Sequence, residues 1–477
     1  MSNELLTGLI IILVFCEFAG VFTAMHALFN VRSPQATVAW CMGLLGLPVL
    51  VLPLYWVFGR SRFQGYREAM RDVLIRHAKQ LSQIRGEMAE LMPERADTDS
   101  RLRVFNSLTD HHFTRGNRVR LLVDGEETFA AILEAIECAT SYVLVEFYIF
   151  RDDELGSDFK AKLIERAQAG VRVYVLFDRL GSHGIRKRYV KELQIAGVKV
   201  SRFNTIGRLR NRFQLNFRNH RKIVVVDGRV AFVGGLNVGD EYLGKDPDIG
   251  YWRDTHLEIK GPAVQMTQSV FALDWHWAEE ELLDLNWQLA PVNEHGVDVL
   301  TLPTGPADDV EACTLFFVSA LNGAKSRVWI ASPYFVPDES VINAMSLAVL
   351  RGVDVRVIIP AKSDSLVVHL AAFTFFQRME SIGVKLYRYE KGFLHQKVVV
   401  VDDTLASIGT ANLSNRSFRL NFELNILVAN SAFAEEVAYM LRADFDQCSR
   451  GLGRDFTDRW IGFRAAARAA RLFAPIL

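Results

Sequence analysis

The first sixty residues are patterned differently from the rest of the chain. Residues 38–58 carry no charged side chain, and residues 5–28 carry only Glu17. Apolar runs of this length suffice to cross a hydrocarbon core of about 30 Å. They predict a two-helix transmembrane hairpin over residues 1–60, with Glu17 turned toward the partner helix. A cleavable leader is disfavoured by the acidic start MSNE and by the second run that follows at once. Residues 61–114 are charged and variable in pattern, with a helical connector expected over 64–95. From residue 115 the period changes again. Short runs rich in Val and Ile (VRVYVLF, VRVIIP, IVVV, VVVV) alternate with helical stretches such as SDFKAKLIERAQAG and ESVINAMSLAVLRG. Runs apolar on both faces read as strands inside a covered sheet. The helical stretches close on glycine, a usual C-terminal cap. Strand–helix alternation predicts an α/β fold, a sheet flanked by helices.

These elements occur twice. FYIFRDD, AGVRVYVLFD and AGVKVSRF are matched downstream by PYFVPDE, RGVDVRVIIP and IGVKLYRY. Pairing Tyr148 with Tyr334, Gly170 with Gly352 and Gly197 with Gly383 gives offsets of 186, 182 and 186 residues, whereas His220 and His395 differ by 175. Repeats this long are whole lobes, expected over 115–300 and 301–477. The shorter last offset places an insertion before His220. Residues 204–219 there interleave Arg208, Arg210, Arg212 and Arg218 with Leu and Phe, as expected of a loop on an anionic lipid surface. The ending WIGFRAAARAARLFAPIL would gather Arg464, Arg468 and Arg471 on one helix face. That suits a helix in the membrane interface or a packing helix closing the second lobe, and the sequence leaves both open.

Charge and cysteine content narrow the setting. Lys and Arg total 55, as do Asp and Glu, so no net field points to a nucleic-acid partner. Five scattered cysteines without a C-x-x-C pair fit a reducing compartment. Arg60, Arg62, Arg67, Arg71 and Arg76 follow the second apolar run, against Arg32 between the two runs. The excess of positive charge predicts that the large C-terminal part is cytoplasmic.

The chemistry lies in a repeated motif. NHRKIVVVDGRVAFVGGLN supplies His220, Lys222, Asp227, Gly234, Gly235 and Asn237. LHQKVVVVDDTLASIGTAN supplies His395, Lys397, Asp402, Gly409 and Asn412. In both, histidine precedes asparagine by 17 residues. Displacement at a phosphodiester needs a nucleophile, an acid for the leaving oxygen, and donors around the phosphoryl oxygens. One imidazole can attack phosphorus while a second protonates the leaving alcohol. Lys222 and Lys397 share a strand face with their histidines and, with the amides of Asn237 and Asn412, are candidate phosphate ligands. Asp254 in YWRDTHLEIKG and Glu423 in RSFRLNFELNILV each open an apolar strand and can orient a histidine ring. No cluster has metal-ligand character; His111, His112, His183 and His369 read as surface or structural.

The duplicated H-x-K-x4-D…G-x-x-N pattern resembles the phospholipase D superfamily. PQATVAW, YWVFGR, VEFYIFRDD, VGGLNVGDEY and NRSFRLNFELN make the whole chain similar to its bacterial cardiolipin synthases. That resemblance implies two lobes related by a pseudo-two-fold axis, with one active site between them. It implies His220 as nucleophile and His395 as acid and base, with phosphatidyl transfer from one phosphatidylglycerol to another giving cardiolipin and glycerol. Asp227 and Asp402 join the catalytic candidates but rank below the His and Lys residues, because the resemblance implies a largely structural role for them. It also implies no cofactor and a place in the bacterial inner membrane. A phospholipase D hydrolase, or a transferase using another donor or acceptor, is the alternative. The oligomeric state is not legible.

Overall fold

A computed structural model describes the chain apart from residues 1–2, 32, 60–62, 77–85, 204–215, 293–295 and 453–455. Arg32, Arg60 and Arg62, and the insertion residues Arg208, Arg210 and Arg212, therefore lie outside the described residues.

The duplication seen in the sequence becomes one continuous mixed sheet. In the first lobe the strand order is Thr114–Val123, Thr255–Lys260, Val230–Gly234, Ile223–Val226, Tyr142–Phe147, Arg172–Asp178 and Lys199–Phe203. The second lobe repeats it as Val297–Thr304, Asn421–Ala429, Leu405–Gly409, Val398–Val401, Arg327–Ala331, Asp354–Pro360 and Lys385–Tyr389, with Cys448–Arg450 at its edge. The first strands of the two series, Thr114–Val123 and Val297–Thr304, pair antiparallel and join the halves. Helices Ala263–Glu279 and Ser431–Phe445 contribute Val264, Phe271, Trp275, Ala434, Val437 and Leu441 to a core shared between the lobes. Separate outer cores cover the far face of each half-sheet. Every residue of IVVV and VVVV is buried, as strands apolar on both faces require.

The connector is docked onto this body. Helix Gln64–Arg76 places Tyr66 against Phe422 with ring centroids 4.7 Å apart, and Phe63 packs against Phe217 at 5.2 Å. Arg67 pairs with Asp309 at 2.6 Å.

The N-terminal segment is one long helix and two short ones. Asn3–Asn30 is the one helix among the described residues long and apolar enough to cross a membrane. The second apolar run, expected to be a single span over 38–58, is instead broken into Pro34–Gly46 and Pro48–Phe58. The break has a local cause. Pro48 has no amide hydrogen, and its ring disfavours helical geometry at Leu47, which sits at φ −141° and ψ 57°. The helices meet at Gly20, where a Cβ would come within 2.5 Å of the Leu44 carbonyl oxygen. Glu17 is exposed and does not pack on the partner helices as expected.

The C-terminal helix Ile461–Arg471 packs on Leu366–Ser381, burying Ala467 and Ala470 and setting Phe463 5.1 Å from Phe373. Trp460, Ile461, Leu472 and Phe473 remain exposed. The segment is thus a packing helix that closes the second lobe, with apolar side chains exposed at both its ends.

Candidate active site

Each histidine stands just before its central strand, and its backbone amide donates across to the opposite lobe. His220 N donates to Phe422 O at 2.9 Å, and His395 N to Arg253 O at 2.8 Å. The residues after those acceptors are the two carboxylates named from sequence, and they are exchanged between lobes. Glu423 Oε2 lies 2.8 Å from His220 Nδ1, and Asp254 Oδ2 lies 2.7 Å from His395 Nδ1. Each lobe thus orients the other's imidazole through Nδ1.

Both carboxylates are fully buried and held by further donors. Glu423 accepts from Thr410 Oγ1 at 2.6 Å, Ser417 Oγ at 2.7 Å and Asn421 Nδ2 at 3.1 Å. Asp254 accepts from the Thr255 amide at 2.8 Å and Trp252 Nε1 at 3.3 Å. Burial alone would raise both carboxyls, but His220 and Lys222 beside Glu423, and Lys397 and His395 beside Asp254, hold them below the ordinary carboxylate range. They are anionic, as ring-orienting groups must be.

Burial lowers the histidines and lysines too. His220 is pulled to about 4, by burial and Lys222 against the attraction of Glu423. His395 is pulled to about 3 by burial and then Lys397, whose Nζ lies 2.8 and 3.1 Å from its two ring nitrogens. Burial also brings Lys222 to about 7 and Lys397 to about 8. Lys222 Nζ donates to His220 O at 2.6 Å, and Lys397 Nζ to His395 O. Lys397 is felt at His220 and Lys222 at His395, so the two motifs converge on one site in which two lysines and two neutral imidazoles face two buried carboxylates.

The remaining motif residues divide. Asn237 is buried, with Oδ1 accepting from Ile149 N and Nδ2 donating to the Tyr242 hydroxyl, both at 3.1 Å. Asn412 is equally buried, and its Oδ1 has no hydrogen-bond partner among the described residues. Gly235 and Gly409 are required by close approach: a Cβ would come 1.9 Å from Asp254 Oδ1 in the first and 2.3 Å from Asn425 Oδ1 in the second. Asp227 and Asp402 are not brought to the site. Each follows a four-residue strand, about 16 Å along the chain from its lysine. Asp227 accepts from the amides of Thr140, Ser141 and Tyr142 at 2.7–2.8 Å, and Asp402 from those of Lys325, Ser326 and Arg327 at 2.7–3.2 Å. Both adopt left-handed backbone angles, φ 54° and 52°, which Asp tolerates better than most residues. They fasten turns at the far ends of the strands, so the catalytic grouping in which the sequence placed them does not match their position.

Sequence reasoning missed several partners. Tyr148 stands edge-on to His220 with centroids 5.2 Å apart, while Trp252 and Phe393 lie 4.9 and 5.7 Å from His395. Beneath the site Arg221 is bound to Asp274 at 2.7 Å, and Arg253 joins the lobes through Asp444 at 2.7 and 2.9 Å. Trp252 and Arg253 adjoin Asp254, and Ser417 and Asn421 sit in NRSFRLNFE, so their neighbourhood was visible but not their roles.

The description "Cardiolipin synthase, PLD-like domain" matches residues 132–275 and 317–448, one match in each lobe. The chain belongs to the phospholipase D-like cardiolipin synthase family. A second description, "Phospholipase_D-nuclease N-terminal", matches residues 18–60. Cardiolipin synthase A of Pseudomonas entomophila is 45% identical over 463 residues, covering 96% of each chain. That of Pseudomonas fluorescens strain SBW25 is 46% identical over 464 residues, covering 97% of each. Among solved structures, a phosphatidylserine synthase from Haemophilus influenzae superposes with a TM-score of 0.60 at 14% identity, over 79% of this chain and all of that one, which shows the shared fold.

Proposed function

We propose that this member of the cardiolipin synthase family transfers a phosphatidyl group from one phosphatidylglycerol to a second, producing cardiolipin and glycerol. The observation that carries the reading is the pair of opposed histidines, each held through Nδ1 by a buried carboxylate from the other lobe. His220 Nε2 attacks phosphorus, and the bond to the departing glycerol oxygen breaks as His395 gives it a proton. The phosphatidyl group is then on His220. His395, now neutral, takes the proton from a hydroxyl of the second lipid, whose oxygen displaces His220 and restores both imidazoles. Burial and Lys397 favour the neutral form of His395, and an anionic phosphodiester at hydrogen-bond range raises its proton affinity. Lys222, Lys397 and the Asn412 amide stabilise charge on the phosphoryl oxygens.

The apolar N-terminal helices keep the site beside its lipids and raise their effective concentration. In this reading the chain is a multi-pass protein of the bacterial cytoplasmic membrane with both lobes on the cytoplasmic side. Chromatography and mass spectrometry of the products from labelled phosphatidylglycerol test the reaction. Cardiolipin and glycerol in equal amounts are expected; phosphatidic acid and glycerol alone would make the protein a hydrolase.

A further inference from the structure

The two halves of the site repeat each other in chemistry but not in their flanks. Arg218 stands two residues before His220, as Phe393 does before His395, and the bonds from Arg218 N to Leu420 O and from His220 N to Phe422 O keep that segment extended beside Asn421–Ala429. An arginine thus stands where the second lobe has a phenylalanine. Four residues past the motif asparagines the difference recurs: the first lobe has Glu241, bonded to Arg151 at 3.1 Å, and the second has Arg416. Both changes place positive charge on the His220 side.

These two arginines are unlike the others around the site. Arg221, Arg253 and Arg419 each have a carboxylate partner. Arg218 donates to the carbonyl of adjacent Phe217 at 2.7 Å, and Arg416 to Asn216 O at 2.9 Å, Asn216 Oδ1 at 3.3 Å and Ile476 O at 2.9 Å. Neither forms a salt bridge to a carboxylate among the described residues. The nearby Asp178 spends its oxygens on the amides of Leu180, Gly181 and Asn219. Pairing of Arg218–Asn219 with Asn421–Ala429, and the bonds from Arg416 to Asn216, bring the two guanidiniums to the same edge. Both act on Tyr148, the ring set against His220. After burial, the like charge of Arg218 is the next cause lowering Arg416. Two half-buried, mutually repelling guanidiniums beside a phosphate site are stabilised by a further anion.

Resting on the synthase reading, we propose that Arg218 and Arg416 bind the phosphate of the second lipid, making the site one for two phosphates. Two residues of extended chain span about 6.6 Å, close to the reach of a glycerol bridge between two phosphates. The acceptor's phosphate rests at this rim while its free hydroxyl enters between the histidines. The pair thereby favours an anionic lipid alcohol over water or a neutral alcohol.

The test uses the full chain in phosphatidylcholine vesicles containing labelled phosphatidylglycerol, comparing wild type, Arg218→Gln and Arg416→Lys. Arg218→Gln is the cleaner variant, because it removes only a bond to the neighbouring carbonyl. The expected result is a cardiolipin-to-phosphatidic-acid ratio lowered about tenfold, the scale of one lost charged hydrogen bond, through a higher KM for phosphatidylglycerol. Transfer to added glycerol should fall much less. Glycerol phosphate should inhibit wild-type cardiolipin formation and inhibit Arg218→Gln weakly. An unchanged ratio and unchanged inhibition in both variants would overturn the two-phosphate site, as would equal losses toward phosphatidylglycerol and glycerol. If the wild type itself forms no cardiolipin, the synthase reading fails and this proposal with it, an outcome distinct from wild-type synthesis with an unaltered variant.

Discussion

In the proposed reaction six ionisable side chains govern the chemistry, and burial and their mutual charges set their protonation. Glu423→Gln and Asp254→Asn keep shape and remove charge, so each ring loses its fixed tautomer and a stabilised imidazolium. A fall in kcat of about 100-fold or more is expected, with little change in KM, checked by steady-state lipid assays. The lysines predict a pH effect. Lys222 and Lys397 lose their charge as pH rises through about 7 and 8, so kcat/KM, which reports the free enzyme, should decline above that window. Stability moves the other way at low pH. The folded histidines titrate near 4 and 3, against about 6.5 when unfolded. The unfolded chain therefore binds more protons between these values, and the melting temperature should fall as pH drops from about 6.5 toward 4.

At the level of elements, much was legible because the signals are local. The buried strands read as Val and Ile runs and the duplication as matched glycines, whereas the His-x-Lys segments, expected on a strand, lie just before Ile223–Val226 and Val398–Val401. What escaped was tertiary. Nothing near Asp254 in the chain says that its carboxylate reaches His395 rather than His220, since the exchange arises only when the two half-sheets join edge to edge. Asp227 and Asp402 were misplaced because adjacency in a motif is not adjacency in space: a four-residue strand carries each to the opposite end. The break at Leu47 was legible in Pro48, which outweighs hydrophobic continuity. The C-terminal helix shows how one segment serves two surfaces. Ala467→Leu should lower stability by about 1–3 kcal/mol through overpacking against Leu366–Ser381, read as a lower denaturation midpoint. Replacing exposed Trp460 and Ile461 with serine should leave the melting temperature in place and weaken vesicle binding of a chain lacking residues 1–60.

For the whole molecule, the two-lobed sheet makes a site that neither half completes. Each lobe provides a histidine, a lysine and the other lobe's orienting acid, so in the proposed reaction lobe contact and catalysis are one property. The buried bidentate pair Arg253–Asp444 is the clearest strut in that contact. Asp444→Asn should cost about 3–5 kcal/mol by leaving Arg253 charged and under-paired in the interior, seen as a lowered unfolding midpoint with activity lost in parallel. The division of labour between the two histidines is open to one decisive experiment. Wild-type protein is quenched during turnover of labelled phosphatidylglycerol, digested without exposure to acid, and its peptides are read by mass spectrometry. A labelled phosphatidyl group on His220 is the expected result. An adduct on His395, with none on His220, would contradict the mechanism.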